Sequence, residues 1–103
     1  MCIRDRVYEV LERFGRRGKL FNIHFRNIVG GRDNFMEVYP DNGDLDMVRL
    51  IRVLRDAGYP YMVMPDHMPV HEDDPNGRQA FAFGYGFIAV SYTHLTLPTT
   101  PYV

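Results

Sequence analysis

The chain has 103 residues, 46% of them hydrophobic, with 12 Lys+Arg against 13 Asp+Glu for a formal net charge of -1. That length allows one domain, the hydrophobic share suffices for a packed core, and the charge balance gives no reason to expect nucleic acid or an anionic membrane as partner. No apolar run approaches the roughly 20 residues of a membrane span, the first residues are charged rather than leader-like, and the one cysteine, Cys2, excludes an internal disulfide framework, so a cytoplasmic setting is expected.

In chain order, Val7 to Gly18 predicts a helix end. Val7, Val10, Leu11 and Phe14 follow helical spacing, and Gly15 and Gly18 supply stops. Arg13, Arg16, Arg17 and Lys19 complement the dipole at its C-terminus, as a solvated basic face. Leu20 to Ile28 predicts a strand in which Phe21, Ile23 and Phe25 alternate with Asn22, His24 and Arg26. Val29 to Asp44 is rich in turn signals (Gly30-Gly31, Pro40-Asp41, Asn42-Gly43) and predicts a long loop, with a short ordered patch over Phe35 to Tyr39. A loop of that length in a compact domain is usually functional.

Asp44 to Gly58 is the clearest helix: Asp44 or Asp46 as cap, Met47, Leu50, Ile51 and Leu54 as the buried stripe, Gly58 as the C-terminal stop. Tyr61 to Met64 predicts a second strand, ended by Pro65. A polar loop, His71 to Arg78, precedes Gln79 to Ile88, which is apolar all round and predicts a buried helix despite Gly84 and Gly86. The aromatic density from Phe81 to Phe87 is read as core. Alternating helices and strands give an α/β fold with a parallel sheet. Two strands cannot complete one, because a parallel sheet is covered on both faces, so the body reads as a slice of a larger barrel or open sheet.

The ends differ in texture from this body. Met1-Cys2-Ile3-Arg4-Asp5 can be encoded by ATG TGT ATA AGA GAC, and the reverse complement of that string translates as Val-Ser-Tyr-Thr-His, the residues Val90 to His94 in order. Inverted copies of one short DNA resemble the adapter ends of a transposon-based sequencing library. Residues 1–6 and 89–103 are therefore expected to be adapter-derived, with 7–88 as the native body. On that reading Cys2 and His94 carry no function.

Chemistry-bearing residues gather where strands end. Tyr61-Met62-Val63-Met64-Pro65 runs directly into Asp66 and His67, and His24 sits within the first strand. In (β/α) barrels the active-site residues lie at the C-terminal ends of strands. A carboxylate with imidazoles suits a divalent ion such as Mn²⁺, Fe²⁺ or Zn²⁺. Adjacent strand residues point opposite ways, so Asp66 and His67 are expected to divide the labour, one as ligand and one as proton-transfer group. Arg26 and Asn27 either meet a substrate carboxylate or tie down the loop. His71-Glu72-Asp73-Asp74 is first of all a solvated turn. The plain alternative for His24 and Asp66-His67 is structural: a packed histidine, a cap or a turn.

Taken together, His24-Phe25-Arg26-Asn27, Phe35-Met36-Glu37, Gly43-Asp44-Leu45-Asp46-Met47, Gly58-Tyr59 and Pro65-Asp66-His67 resemble, in order and spacing, the C-terminal part of the mannonate dehydratase family, over residues 7–88. The resemblance implies part of a TIM (β/α) barrel of the xylose-isomerase-like kind, about two βα units of it, from a homo-oligomeric parent. It implies a hydro-lyase that uses Mn²⁺ or Fe²⁺ to convert the small sugar acid D-mannonate to 2-keto-3-deoxy-D-gluconate. It implies His24 and Asp66 as metal ligands, His67 as the catalytic proton-transfer residue, and Arg26 and Asn27 as substrate-binding. The family's other ligands, a cysteine and a histidine, lie upstream of the matching residues. Its catalytic tyrosine aligns with Gln79, and Tyr85 falls on a helix face instead. A related metal-dependent sugar isomerase or epimerase, or a non-enzymatic α/β domain, are the alternatives. The adapter reading makes its own prediction: sequencing reads will lose genomic continuity at Ile88, and unbroken coverage past that codon overturns it.

Overall fold

The computed structural model describes residues 3–96. Cys2 and the adapter-expected residues 97–103 lie outside the described residues. The elements are α1 (Ile3–Arg16), β1 (Ile23–Phe25), β2 (Asn27–Gly31), β3 (Asn34–Val38), α2 (Met47–Asp56), β4 (Val63–Pro65) and α3 (Arg78–Thr96). β1 pairs with β4 in parallel, and β2 pairs with β3 as an antiparallel hairpin. A parallel pair needs a crossover connection, and the hairpin together with α2 supplies it.

α1 and α2 end in the same way. Gly18 (φ 67°) and Gly58 (φ 78°) adopt the left-handed conformation that glycine takes without strain. In each case the following residue's N–H reaches back five residues, Lys19 to the Phe14 carbonyl and Tyr59 to the Leu54 carbonyl. This is the paired-bond ending that satisfies the last carbonyls of a helix. Gly15, expected as a stop, instead lies inside α1: a Cβ there would sit 2.8 Å from the Cβ of Ala57, so the glycine lets α1 close on the end of α2. Asp46 caps α2, accepting from the Arg49 N–H at 3.1 Å, while its own N–H donates to the Tyr8 hydroxyl at 2.8 Å.

The core is Tyr8, Phe25, Met47, Leu50, Ile51, Leu54, Tyr59 and Ile88. All four residues of the expected α2 stripe are in it. α1 turns Tyr8 inward instead of Val10 and Phe14, which stay exposed. The aromatics of α3 also depart from expectation, since Phe81, Phe83 and Tyr85 face outward. The buried line is Ala80, Gly84, Ile88 and Ser91 at helical spacing, small residues except for the core residue Ile88. A Cβ on Gly84 would lie 2.8 Å from the Pro65 Cβ, so α3 approaches β4 too closely for large side chains between them. No helix among the described residues is long and apolar enough to cross a membrane.

The expected long loop is largely a hairpin. Asn27 stands opposite Val38 and Gly31 opposite Asn34, with Arg32 and Asp33 at the tip. The glycine pair lies inside β2 rather than at the turn: Gly30 has φ 116°, and a side chain there would run into the Asn34 carbonyl. Val29, Phe35 and Met36 are exposed, so apolar burial contributes little to holding the hairpin. Asn27 anchors it. The side chain is 1% exposed; its Nδ2 donates to the Pro40 and Leu45 carbonyls at 2.9 Å each, and its Oδ1 accepts from the N–H groups of Ile28 (3.0 Å) and Leu45 (3.2 Å). Gly43 rests on that amide, where a methyl group would overlap it.

Truncation of Asn27 strands buried donors and acceptors, each costing about 1–3 kcal/mol when left unmade. Asn27→Ala is therefore expected to destabilise by about 3 kcal/mol or more. Gly43→Ala is expected to destabilise through the same amide. Chemical denaturation of each variant against the parent sequence checks both, and a loss under about 1 kcal/mol for Asn27→Ala contradicts the anchoring role.

Candidate functional site

The parallel register fixes the first half of the site. Ile23, His24 and Phe25 stand beside Val63, Met64 and Pro65, and the Asp66 N–H donates to the Phe25 carbonyl at 3.2 Å, extending the pairing by one residue. Side chains alternate along a strand. Ile23, Phe25, Val63 and Pro65 therefore share the face turned to the helices, with Phe25 and Pro65 buried. His24, Arg26, Met64 and Asp66 share the other. On that face His24 Nδ1 lies 3.4 Å from Asp66 Oδ2.

The second half is set by a backbone exception. His67 has φ 48°, the one non-glycine residue with positive φ in the described chain. That conformation costs an ordinary L-residue about 1–2 kcal/mol, and such strain concentrates at functional sites. Strand alternation alone would place His67 away from Asp66. The left-handed turn brings its ring back, with Nε2 at 3.3 Å from Asp66 Oδ2 and Nδ1 at 2.8 Å from Glu37 Oε1. Glu37, on β3, also receives Arg26 Nη1 at 3.1 Å.

Four of the five sequence-expected site residues thus lie in one cluster: His24, Asp66 and His67 touch directly, and Glu37 links Arg26 to them. Glu37 joins them without having been assigned a role from sequence. Its signal was present in the Phe35-Met36-Glu37 motif, but only the hairpin shows what it touches. Asn27 stands apart: it is buried among the loop carbonyls, the loop-tying alternative in structural form. Of the acidic run after β4, Asp74 is buried and its Oδ2 accepts from the N–H groups of Gln79 (3.1 Å) and Ala80 (3.2 Å), capping α3. His71 Nε2 lies 2.6 Å from the Tyr39 hydroxyl. Gln79 and Tyr85 are both exposed on α3.

The cluster is open to solvent, with side-chain exposures from 30% at Glu37 to 58% at His24. A cleft of about 240 Å³ opens beside β1, with His24 and Arg26 in its lining together with Val7, Leu11 and Met47. His24 and Asp66 offer one imidazole nitrogen and a carboxylate, the donor types that suit a first-row divalent ion. Among the described residues, no group of three or more His, Cys, Asp or Glu is arranged to hold one. The pair fits such an ion in kind and supplies only part of its coordination shell.

Since His67 is held in a conformation that glycine and asparagine accept more readily, His67→Gly and His67→Asn are expected to leave stability within about 1 kcal/mol of the parent. His67→Val is expected to lose about 2 kcal/mol, because a β-branched residue resists positive φ. Denaturation midpoints of the three variants check the order; equal stability of the valine and glycine variants contradicts it.

The comparisons with known proteins converge. The family model described as D-mannonate dehydratase (UxuA) matches residues 1–96. Mannonate dehydratase of Lactococcus lactis subsp. cremoris (strain MG1363) is 31% identical over 68 residues, which cover 61% of this chain and 19% of that protein. The crystal structure of mannonate dehydratase from Streptococcus suis serotype 2 superposes with a TM-score of 0.64 at 18% identity, covering 93% of this chain and 32% of that one, a likeness of fold. The chain spans about a fifth of the curated relative's length and about a third of the solved one's. On the family match across residues 1–96, the chain belongs to the mannonate dehydratase family.

Proposed function

We propose that this chain is one slice of a TIM-barrel hydro-lyase that removes water from D-mannonate to give 2-keto-3-deoxy-D-gluconate with the help of a divalent ion, Mn²⁺ or Fe²⁺. The observation that carries the reading is the convergence of Arg26, Asp66 and His67, which follow two parallel strands directly, with His24 in the first of them, near the strand ends where barrel enzymes build their sites. The slice reading is supported by the sheet itself. The helices cover one face of the β1–β4 pair, and a parallel sheet wants both covered. Phe21, Tyr61, Met62 and Val70 stand 54–70% exposed around it, as surfaces awaiting neighbours. The parent is a cytoplasmic homo-oligomer acting on a free sugar acid, and residues 1–6 and 89–103 are adapter-derived.

His24 and Asp66 would hold the ion, which when bound stabilises negative charge building on the substrate carboxylate. His67 moves the protons. An imidazole both accepts and donates protons, so it can take a proton from the carbon beside the carboxylate and return one to the departing hydroxyl. Arg26 directs N–H donors to the substrate: a guanidinium carries five, and the Glu37 pair engages Nη1. Asn27 contributes by holding the hairpin that carries Glu37 rather than by touching substrate.

In the full-length parent, D-mannonate consumption with Mn²⁺ is expected, and His67→Asn is expected to lower kcat by about 10²–10⁴-fold, the usual share of a general acid–base group. The isolated 103-residue chain is expected to be inactive and poorly folded, so the stability comparisons above are made most sharply in the full-length protein. Turnover by the isolated chain, or a fully active His67→Asn enzyme, overturns the corresponding part of the proposal.

A further inference from the structure

We propose that Phe35 is a specificity-determining residue of the site: its ring forms the apolar wall on the hairpin side and takes the C–H face of the sugar acid's carbon chain. The proposal rests on the D-mannonate reading above and deepens it.

The hairpin register says which way Phe35 points. Side chains alternate along a strand, so Phe35 and Glu37 share one face of β3 and Met36 lies on the other. Across the hairpin Glu37 stands opposite Ile28, and Met36 opposite Val29; directly opposed residues share a face. Glu37 identifies the face. It accepts a hydrogen bond from Arg26 Nη1 at 3.1 Å and lies within ion-pair distance of His67. The face that carries Phe35 is therefore the one turned to the cluster. Two residues of strand span about 7 Å, so Phe35 stands one row beyond Glu37, toward the hairpin tip.

Across the hairpin the ring meets no side chain, because its opposite residue is Gly30. That position resists acquiring one: Gly30 has φ 116°, and a Cβ there would run into the Asn34 carbonyl. Phe35 is 46% exposed as a result. An open phenyl ring one row from a set of charged groups has the composition of a small-molecule site, where apolar walls accompany a few placed polar groups. The other exposed aromatics lie elsewhere. Phe21 and Tyr61 precede β1 and β4, at the end of the sheet away from Asp66, and Phe81, Phe83 and Tyr85 belong to α3.

A sugar acid needs both kinds of surface. Its carboxylate and hydroxyls require donors and acceptors, which Arg26 and its neighbours supply. Its C–H groups gain by leaving water against an aromatic ring, and Phe35 supplies that ring. No bond changes at such a contact, so it holds the ground state and the transition state alike. A contact of that kind moves KM and leaves kcat.

The test compares the full-length parent with Phe35→Ala, Phe35→Gln, Phe35→Tyr and, from the opposite face of the same strand, Met36→Ala, in steady-state turnover of D-mannonate with Mn²⁺. Phe35→Ala and Phe35→Gln are expected to raise KM about tenfold, the low end of what an apolar contact with a substrate contributes, with kcat changed less than threefold. Phe35→Tyr, which restores a ring, should recover most of that loss, and Met36→Ala should keep the parental KM. A parental KM in Phe35→Ala and Phe35→Gln overturns the assignment. So does an equal rise in Met36→Ala, which would mark a general disturbance of the hairpin. Should Phe35→Ala fail to fold, Phe35→Gln against Phe35→Tyr carries the same comparison. A parent that leaves D-mannonate unconsumed ends the functional reading and this assignment together, whereas an active parent with unaffected Phe35 variants ends the assignment alone.

Discussion

The site depends on the register of two three-residue strands. β1 and β4 meet with His24 beside Met64, and one further backbone bond, Asp66 N–H to the Phe25 carbonyl, brings Asp66 level with Arg26. A slip of one residue would turn every side chain on one strand to the opposite face. Phe25 and Pro65 resist such a slip, because both are buried on the helix side, Phe25 against Phe87 and Pro65 beneath Gly84. The apolar packing on one face thus holds the polar geometry on the other. α3 can lie low enough to do this only because it presents Ala80 and Gly84 where an aromatic would hold it off.

A second constraint acts from the hairpin. β2 and β3 bury little apolar surface, so their position relative to β1 comes from hydrogen bonds. The Asn27 amide binds both sides of the 40–45 segment, and Asp44 adds its N–H to the Ile28 carbonyl and its Oδ2 to the Gly30 N–H. Buried polar networks of this kind are stiff when complete, since any displacement leaves a desolvated group unpaired. Rigidity there passes directly to Glu37, eleven residues along the chain from Arg26 and paired with it.

What was legible in the sequence was local. Gly18 and Gly58 ended their helices because a left-handed cap needs no more than the residues around it. The Met47, Leu50, Ile51, Leu54 stripe was read from period alone. Asp66-His67 after an apolar run was read as a strand-end pair, and so it is. The hairpin is not legible because Gly30-Gly31 reads as punctuation, when Gly30 is a strand residue needed for close approach to the Asn34 carbonyl; Asn42-Gly43 does lie in the bend that precedes α2. The α3 aromatics were assigned to the core because hydrophobicity does not reveal which face of a helix meets a sheet at close range. Glu37 had no role before the fold was known because its partners, Arg26 and His67, come from two other elements, and the left-handed turn that aims His67 at it is invisible to strand alternation.

The cluster's charges do little to hold the fold. Every pair in it is substantially solvent-exposed, and exposed pairs contribute about 0–1 kcal/mol each. The ion pairs cannot therefore be what offsets the left-handed backbone at His67. The offset comes from the packing around it: Pro65 and Met68 are buried on either side of the Asp66-His67 step, and both lie against Gly84. The backbone places the five side chains, and the charges only choose rotamers within that placement. Changes of charge in the cluster should then alter chemistry with little effect on folding, whereas changes at Asn27, Gly43 or Gly84 should alter folding first and chemistry through it. The two groups of residues are separable in this fold because the site sits on the face that the core does not use.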